Sequence, residues 1–309
     1  MKIKRNLIYY ILMLNVLLSS EPLLLSCRAG SINSIEEEKP DVEKPEKEST
    51  LKINAATYNL RMQTSADQEE KAWENRRAWA IKIIKKHNFD IIGTQECFKN
   101  QLEDVLQAGN YSYIGVGRDD GQSKGEHSAI IYQNQKFEVL DKGDFWLSET
   151  PEVPSSGWDA TIKRVCSWGK FREKETGKVF FFFNAHYDHK GKIARKESSK
   201  LVLKKIEEIA GDTPAFFSGD LNALPDEESI VLLSESKMLW DARNVSSTPV
   251  YGTEGTYHGY NLDGKTTHRI DYIFVSAEID VLEYGVLNDD ITEGEFSSDH
   301  FPVLIKAEL

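Results

Sequence analysis

The stretch Phe216-Phe217-Ser218-Gly219-Asp220-Leu221-Asn222-Ala223 decides how the rest of the chain is read. Two aromatic residues and a small polar one read as the end of a buried strand, bracketed by Pro214 and Pro225, and Gly219 reads as a tight turn. Asp220 and Asn222 stand two residues apart where the strand ends, so both side chains can project into one cleft. A carboxylate and an amide at that spacing can hold a divalent cation or aim a water at phosphorus. The same residues also make an ordinary Asp/Asn turn after a strand, and only their company elsewhere separates the two readings.

Outward from this stretch, polar residues recur at the ends of apolar runs. Upstream, a hairpin is expected from Arg164–Phe171 and Lys178–Ala185, turning at Lys174-Glu175-Thr176-Gly177 and ending in Asn184-Ala185-His186-Tyr187-Asp188-His189. A helix over Lys192–Ala210 leads from there to Asp220. Earlier, the strands Ile53–Leu60 and Phe89–Glu96 end near Asn59 and at Glu96, with a helix over Arg76–His87 between them. A helix over Lys99–Ala108 follows, then strands near Tyr111–Val116, Ser128–Tyr132 and Phe137–Leu140. The charged, glycine-rich segment Gly117–His127 lacks the strand-to-helix setting of a nucleotide-phosphate loop. Phe145-Trp146-Leu147 through Trp158 reads as a long aromatic loop that walls a substrate. Downstream, Asp271 heads an apolar strand, and Asp299-His300 precede the closing one. A polar side chain at the end of an apolar strand costs stability unless it is partnered. The candidate site is therefore Asn59, Glu96, His186, Asp220, Asn222, Asp271, Asp299 and His300.

The chain has 309 residues, 40% hydrophobic and 10% aromatic, enough for one large α/β domain or two small ones with a well-filled core. Residues 1–50 carry seven basic and eight acidic side chains, so nearly all of the net charge of −12 belongs to residues 51–309. An acidic domain argues against sequence-independent binding of long nucleic acid, while a local basic groove stays open. Lys2, Lys4 and Arg5 ahead of the apolar Leu7–Leu18 form an export signal too short for a membrane span. Leu24-Leu25-Ser26-Cys27 resembles a bacterial lipobox, which would place residues 1–27 in a cleaved signal and leave a lipidated Cys27. Residues 28–50, rich in Glu, Lys and Pro, read as a disordered tether to a domain over 51–309. Cys97 and Cys166 sit in apolar contexts without metal-site spacing and are expected as buried free thiols.

Six short motifs carry a family resemblance. They are Thr57-Tyr58-Asn59-Leu60-Arg61, Gln95-Glu96, Asn184-Ala185-His186, Gly219-Asp220-Leu221-Asn222-Ala223, Arg269-Ile270-Asp271-Tyr272-Ile273 and Ser298-Asp299-His300-Phe301-Pro302. In this order, across residues 51–309, they resemble the endonuclease/exonuclease/phosphatase superfamily. Gln101-Leu102, Gly117-Arg118-Asp119-Asp120-Gly121, Trp146-Leu147-Ser148 and His186-Tyr187-Asp188-His189 look like an exported bacterial subgroup near its deadenylase/nocturnin branch. The resemblance implies a four-layer α/β sandwich, two mixed β-sheets packed face to face with helices outside, and Mg²⁺- or Mn²⁺-dependent hydrolysis of a phosphoester.

It also implies roles. Glu96, Asn59 and Asp299 would hold the metal. His300 would be the general base, with Asp271 holding its second ring nitrogen. Asp220 and Asn222 would orient the attacking water and a phosphate oxygen. His186 would donate to the developing charge, kept protonated by Glu126. Arg164, Trp146 and His268 are further substrate-binding candidates, with an internal salt bridge an equal reading for Arg164. Arg195 and His189 read as supports for Asp188 or for the substrate, the structural role being favoured. Arg61 receives no role.

Within phosphoester hydrolysis, of a diester or a monoester, the acidic domain favours a small nucleotide, sugar or lipid phosphate over DNA or RNA. A nuclease is the alternative, and a non-catalytic binding lipoprotein on the same fold is a reading of another class. The expected partners are the phosphate-ester substrate and, through the lipid anchor alone, a membrane; the protein is expected to act as a monomer in the cell envelope.

Overall fold

The computed structural model describes residues 49–261, 266–292 and 294–309. The expected signal, Cys27 and all of the tether before residue 49 lie outside the described residues.

Among the described residues the strands are β1 (Lys52–Asn59), β2 (Ile91–Gln95), β3 (Tyr111–Ile114), β4 (Ile130–Gln133), β5 (Phe137–Trp146), β6 (Val165–Glu173), β7 (Val179–His186), β8 (Ala215–Asp220), β9 (Trp240–Asp241), β10 (Tyr251–Gly252), β11 (Asp271–Val275), β12 (Asp280–Val286) and β13 (Val303–Glu308). They form one sheet in the order β10-β12-β13-β1-β2-β4-β3 and a second in the order β5-β6-β7-β8-β11-β9. Both are mixed: β1 runs parallel to β2 and β7 parallel to β8, while β1 with β13 and β8 with β11 are antiparallel.

Side-chain alternation explains why both faces of the central strands are apolar. In Phe180-Phe181-Phe182-Phe183, Phe180 and Phe182 enter a core shared with Ile53, Ala55, Ile91 and Ile305 of the other sheet. Phe181 and Phe183 point the opposite way, into a layer with Val202 and Ile206 of helix α3. The first sheet repeats the pattern, with Ala56, Tyr58 and Ile92 packed on Trp73, Ile83 and Ile84 of helix α1. Helices α1 (Trp73–Lys86) and α2 (Lys99–Val105) thus cover one sheet, and α3 (Lys192–Ala210) and α4 (Glu228–Ser234) the other. The result is the four-layer α/β sandwich, helix–sheet–sheet–helix.

Two expectations about local structure need correction. Gly219 lies inside β8, not in a turn; a Cβ there would fall 2.1 Å from the Ala185 carbonyl oxygen of β7, so the glycine serves close approach of strands. The strand from Phe137 does not stop at Leu140 but continues to Trp146. Its register slips between Val139 and Asp141, and as an edge strand it tolerates the polar Asp141, Lys142 and Asp144 that resembled a break.

Between the sheets lies a buried polar network. Asn184 Nδ2 donates to the carbonyls of Thr94 (2.8 Å) and Ala129 (3.0 Å) across the sandwich. Its Oδ1 accepts from Gln95 Nε2 (2.7 Å) and Ser218 Oγ (3.1 Å). Gly93 makes room for it, because a Cβ there would lie 2.1 Å from Ser218 Oγ and 2.4 Å from Asn184 Oδ1. With its partners in place, the network fixes the spacing of the two sheets below the strand ends.

Candidate active site

Register brings the polar strand ends together. Asp220 is opposite His186 on one side and Asp271 on the other, while Asn59 is opposite Gln95 in the facing sheet. Above them opens a cavity of about 480 Å³, whose lining includes Glu96, His186, Asp220, Asn222, Asp299 and His300. Two of these, Glu96 and Asn222, have left-handed φ of 65° and 47°, as does Arg61 (54°) on the same lining. Such backbone is costly for residues with a Cβ and is held here by side-chain bonds. The Asn222 amide N–H donates to Asp220 Oδ1 (2.9 Å), and those of Arg61 and Met62 to Asn59 Oδ1 (2.9 Å) and Glu96 Oε2 (3.1 Å).

On the cavity floor, Glu96, Asp220 and His300 offer ligand atoms that all lie within 4.8 Å of one another. The two carboxylates supply hard oxygens that fit a divalent cation, and the His300 imidazole stands beside them. Asn59 does not offer its oxygen to that point. Its Nδ2 donates to Glu96 Oε1 (3.0 Å) and Asp220 Oδ2 (2.9 Å), so here it bridges the two carboxylates. Asp299 lies at the same cavity with its carboxylate 3.8 Å from Arg61 Nη1.

His300 Nδ1 donates to Asp271 Oδ2 at 2.9 Å, and its Nε2 lies 3.8 Å from Asp220 Oδ2. Burial presses the imidazole toward neutrality, but Asp271, then Asp220 and Asp299, raise its pKa to about 10. Asp220, buried and close to the Asp271 charge, is pushed up to about 7. Burial works against the charge of Glu96, yet His300, Asn59 and the Met62 amide hold its pKa below the usual range. Asp271 is itself fixed by Thr256, whose hydroxyl donates to Oδ2 at 2.5 Å.

His186 is not the protonated donor expected. Burial, then the charges of Arg164 and Arg118, hold its pKa well below 6.5. Its Nε2 accepts from Asn222 Nδ2 at 3.0 Å, while Glu126 Oε2 is 3.9 Å from Nδ1 and is engaged by Arg118 at 2.7 Å. Trp146 is no substrate wall. It is buried at the end of β5, with its Nε1 donating to the Arg118 carbonyl at 2.7 Å. His268 is exposed and outside the cavity lining; its backbone carbonyl accepts from the Thr256 and Tyr257 amides, which is the use this position serves. Arg164 does line the cavity.

Further residues complete the site: Tyr257, which the sequence offers with Trp158 and Tyr260 as an aromatic wall, does line the cavity. Tyr257 stands half-exposed on the lining, edge-on to His300 at 4.9 Å between centroids. Arg76, buried on α1, donates to the carbonyls of Leu60 (2.5 Å), Arg61 (2.6 Å) and Ser297 (3.1 Å), tying the segment after β1 to the one carrying His300. Asp188 accepts from Thr161 N and Oγ1 (both 3.0 Å), Lys190 N (2.9 Å) and Gly191 N (2.7 Å), stapling the segment that carries Ile162 onto the start of α3. Cys97 and Cys166 are buried free thiols, as expected.

A model of the Endonuclease/Exonuclease/phosphatase family matches residues 56–300. A crystal structure of an endonuclease/exonuclease/phosphatase family protein from Bacteroides thetaiotaomicron is 44% identical, with a TM-score of 0.80 over 84% of this chain and 99% of that one. A mannosyl-6-phosphatase of Bacteroides thetaiotaomicron is likewise 44% identical, with a TM-score of 0.79 over 82% of this chain and 99% of its own. Nocturnin of Drosophila melanogaster is 24% identical over 288 residues, 78% of this chain and 43% of that protein.

Proposed function

The chain belongs to the endonuclease/exonuclease/phosphatase family, and from that premise we propose that this phosphoric ester hydrolase is a Mg²⁺- or Mn²⁺-dependent phosphatase of small phosphorylated sugars. One observation carries the reading: Glu96, Asp220 and His300 converge within 4.8 Å on the floor of a cavity of about 480 Å³. That volume suits a single sugar phosphate, whereas a nucleic acid wants a long basic groove, and the chain's net charge is −12. The mannosyl-6-phosphatase, similar over nearly its whole length, supports the same substrate class.

Glu96 and Asp220 would hold the cation, with Asp299 beside them and Asn59 keeping the two carboxylates in place. When bound, the cation supplies charge that polarises the phosphoryl group and offsets the carboxylate field that otherwise keeps His300 protonated. Neutral His300 then takes the proton of the attacking water at Nε2, and Asp271 stabilises the imidazolium through Nδ1. Asn222 and neutral His186 fix the polar wall beside Asp220, where a phosphoryl oxygen would sit. The export signal and Cys27 would place the enzyme on the cell envelope; loss of lipid labelling in Cys27→Ala tests that part.

Phosphate release should be measured from mannose 6-phosphate, glucose 6-phosphate and a single-stranded oligonucleotide, with Mg²⁺ or Mn²⁺ and with a chelator. Metal-dependent release from the sugar phosphates, lost in Glu96→Gln, is expected. Turnover confined to the oligonucleotide, or unchanged by the chelator, would overturn the reading.

A further inference from the structure

The cavity wall holds a buried cation that no carboxylate of the described residues touches, although Glu126, Asp220 and Asp188 lie near enough to act on its charge. Arg164 immediately precedes β6 and is only 5% exposed, yet it lines the cavity. Among the described residues no carboxylate lies within 4.0 Å of its guanidinium. Its Nη2 meets only His189 Nδ1, at 3.4 Å, and its Nε has no hydrogen-bond partner. The nearby Glu126 is already taken by Arg118 at 2.7 Å, and Asp188 by the backbone amides of residues 161, 190 and 191. The other lining arginine, Arg61, is by contrast paired with Asp67 at 3.1 Å. The backbone around Arg164 is pinned: its carbonyl accepts from the Leu147 amide at 2.8 Å, and Lys163 Nζ donates to the Asp119 carbonyl at 2.9 Å.

A buried guanidinium that no carboxylate touches keeps unmet donors, and on a ligand cavity those donors are free for an anion. Its flat array of N–H donors matches the terminal oxygens of a phosphate. A phosphomonoester brings two negative charges and three terminal oxygens. A diester brings one charge, and a second ester arm replaces one of those oxygens. Resting on the phosphatase reading above, we propose that Arg164 is the specificity residue that selects phosphomonoesters over phosphodiesters, by binding the terminal phosphate oxygens not engaged at the cavity floor. His189, bonded to the guanidinium, orients it.

The test is kcat/KM of the full chain with Mn²⁺ for phenyl phosphate and for bis(4-nitrophenyl) phosphate, in wild type, Arg164→Met and Arg164→Lys. In Arg164→Met the monoester value should fall on the order of 10- to 100-fold, from the loss of one charge-assisted forked contact, while the diester value holds within about threefold. Arg164→Lys should recover part of the monoester value, since charge returns without the fork. An equal fall for both esters, or no fall for either, would overturn the assignment. A second readout is the rise in melting temperature produced by inorganic phosphate, expected in wild type and lost in Arg164→Met. If wild type hydrolyses neither ester, the phosphatase reading fails by itself. Phosphate stabilisation then decides on Arg164: its loss in the variant supports the assignment, and its persistence refutes it.

Discussion

The floor and the wall of the cavity handle charge in opposite ways. On the floor the charged groups have partners in place: His300 has Asp271 and Asp220, and Glu96 and Asp220 share the amide of Asn59. The wall is stapled mainly by backbone contacts to Asp188 and leaves Arg164 with no carboxylate in contact. The floor is thus preorganised for chemistry before substrate arrives, whereas the wall is completed by the substrate's own charge. Variants in the two regions should fail differently.

The largest effect belongs to the floor. Glu96→Gln or removal of divalent metal should lower kcat by about 10³-fold or more with the melting temperature little changed, as steady-state rates and thermal melts would show. Next is the network beneath it. Gly93→Ala forces a methyl to within 2.1 Å of Ser218 Oγ, and should cost about 1–3 kcal/mol of stability by urea titration. On the wall, Tyr257→Ala should raise KM for a sugar phosphate about 3- to 10-fold and leave kcat nearly intact; a fall confined to kcat would move Tyr257 to the floor.

The smallest effect is conditional on pH. Burial opposes the charge of Asp188, but the amides of Gly191 and Lys190 and the Thr161 hydroxyl bring its pKa down to about 2. A lowered carboxylate stabilises the fold above its unfolded value, and that contribution fades as pH falls through the folded one. Asp188→Asn should therefore melt below wild type at neutral pH, and the gap should close between pH about 4 and about 2.

Much of the floor was legible in the sequence because strand ends are. A buried strand ending in Asn59, Glu96, His186 or Asp220 announces a polar side chain that must find a partner, and motif order arranged these ends into one sandwich. What the sequence could not carry was orientation. It placed Asn59 beside the carboxylates without showing that the amide nitrogen faces them. It marked His186 but not the burial and arginine charges that keep it neutral. Nearness in the chain misled twice. His268 is three residues before Asp271 yet exposed, and Trp146 belongs to an edge strand whose bulge and polar residues looked like a loop. Arg76 acquires its place through a contact distant in sequence, with Ser297, and the seat of Tyr257 edge-on to His300 likewise joins distant segments.

The division between floor and wall is tested most directly by separate kcat and KM values for one phosphomonoester in His300→Ala and Arg164→Met. The account expects His300→Ala to lose about 10³-fold in kcat with KM nearly unchanged, and Arg164→Met to act chiefly on KM. If both variants lower the same parameter to the same extent, the floor and the wall are one unit and the account is wrong.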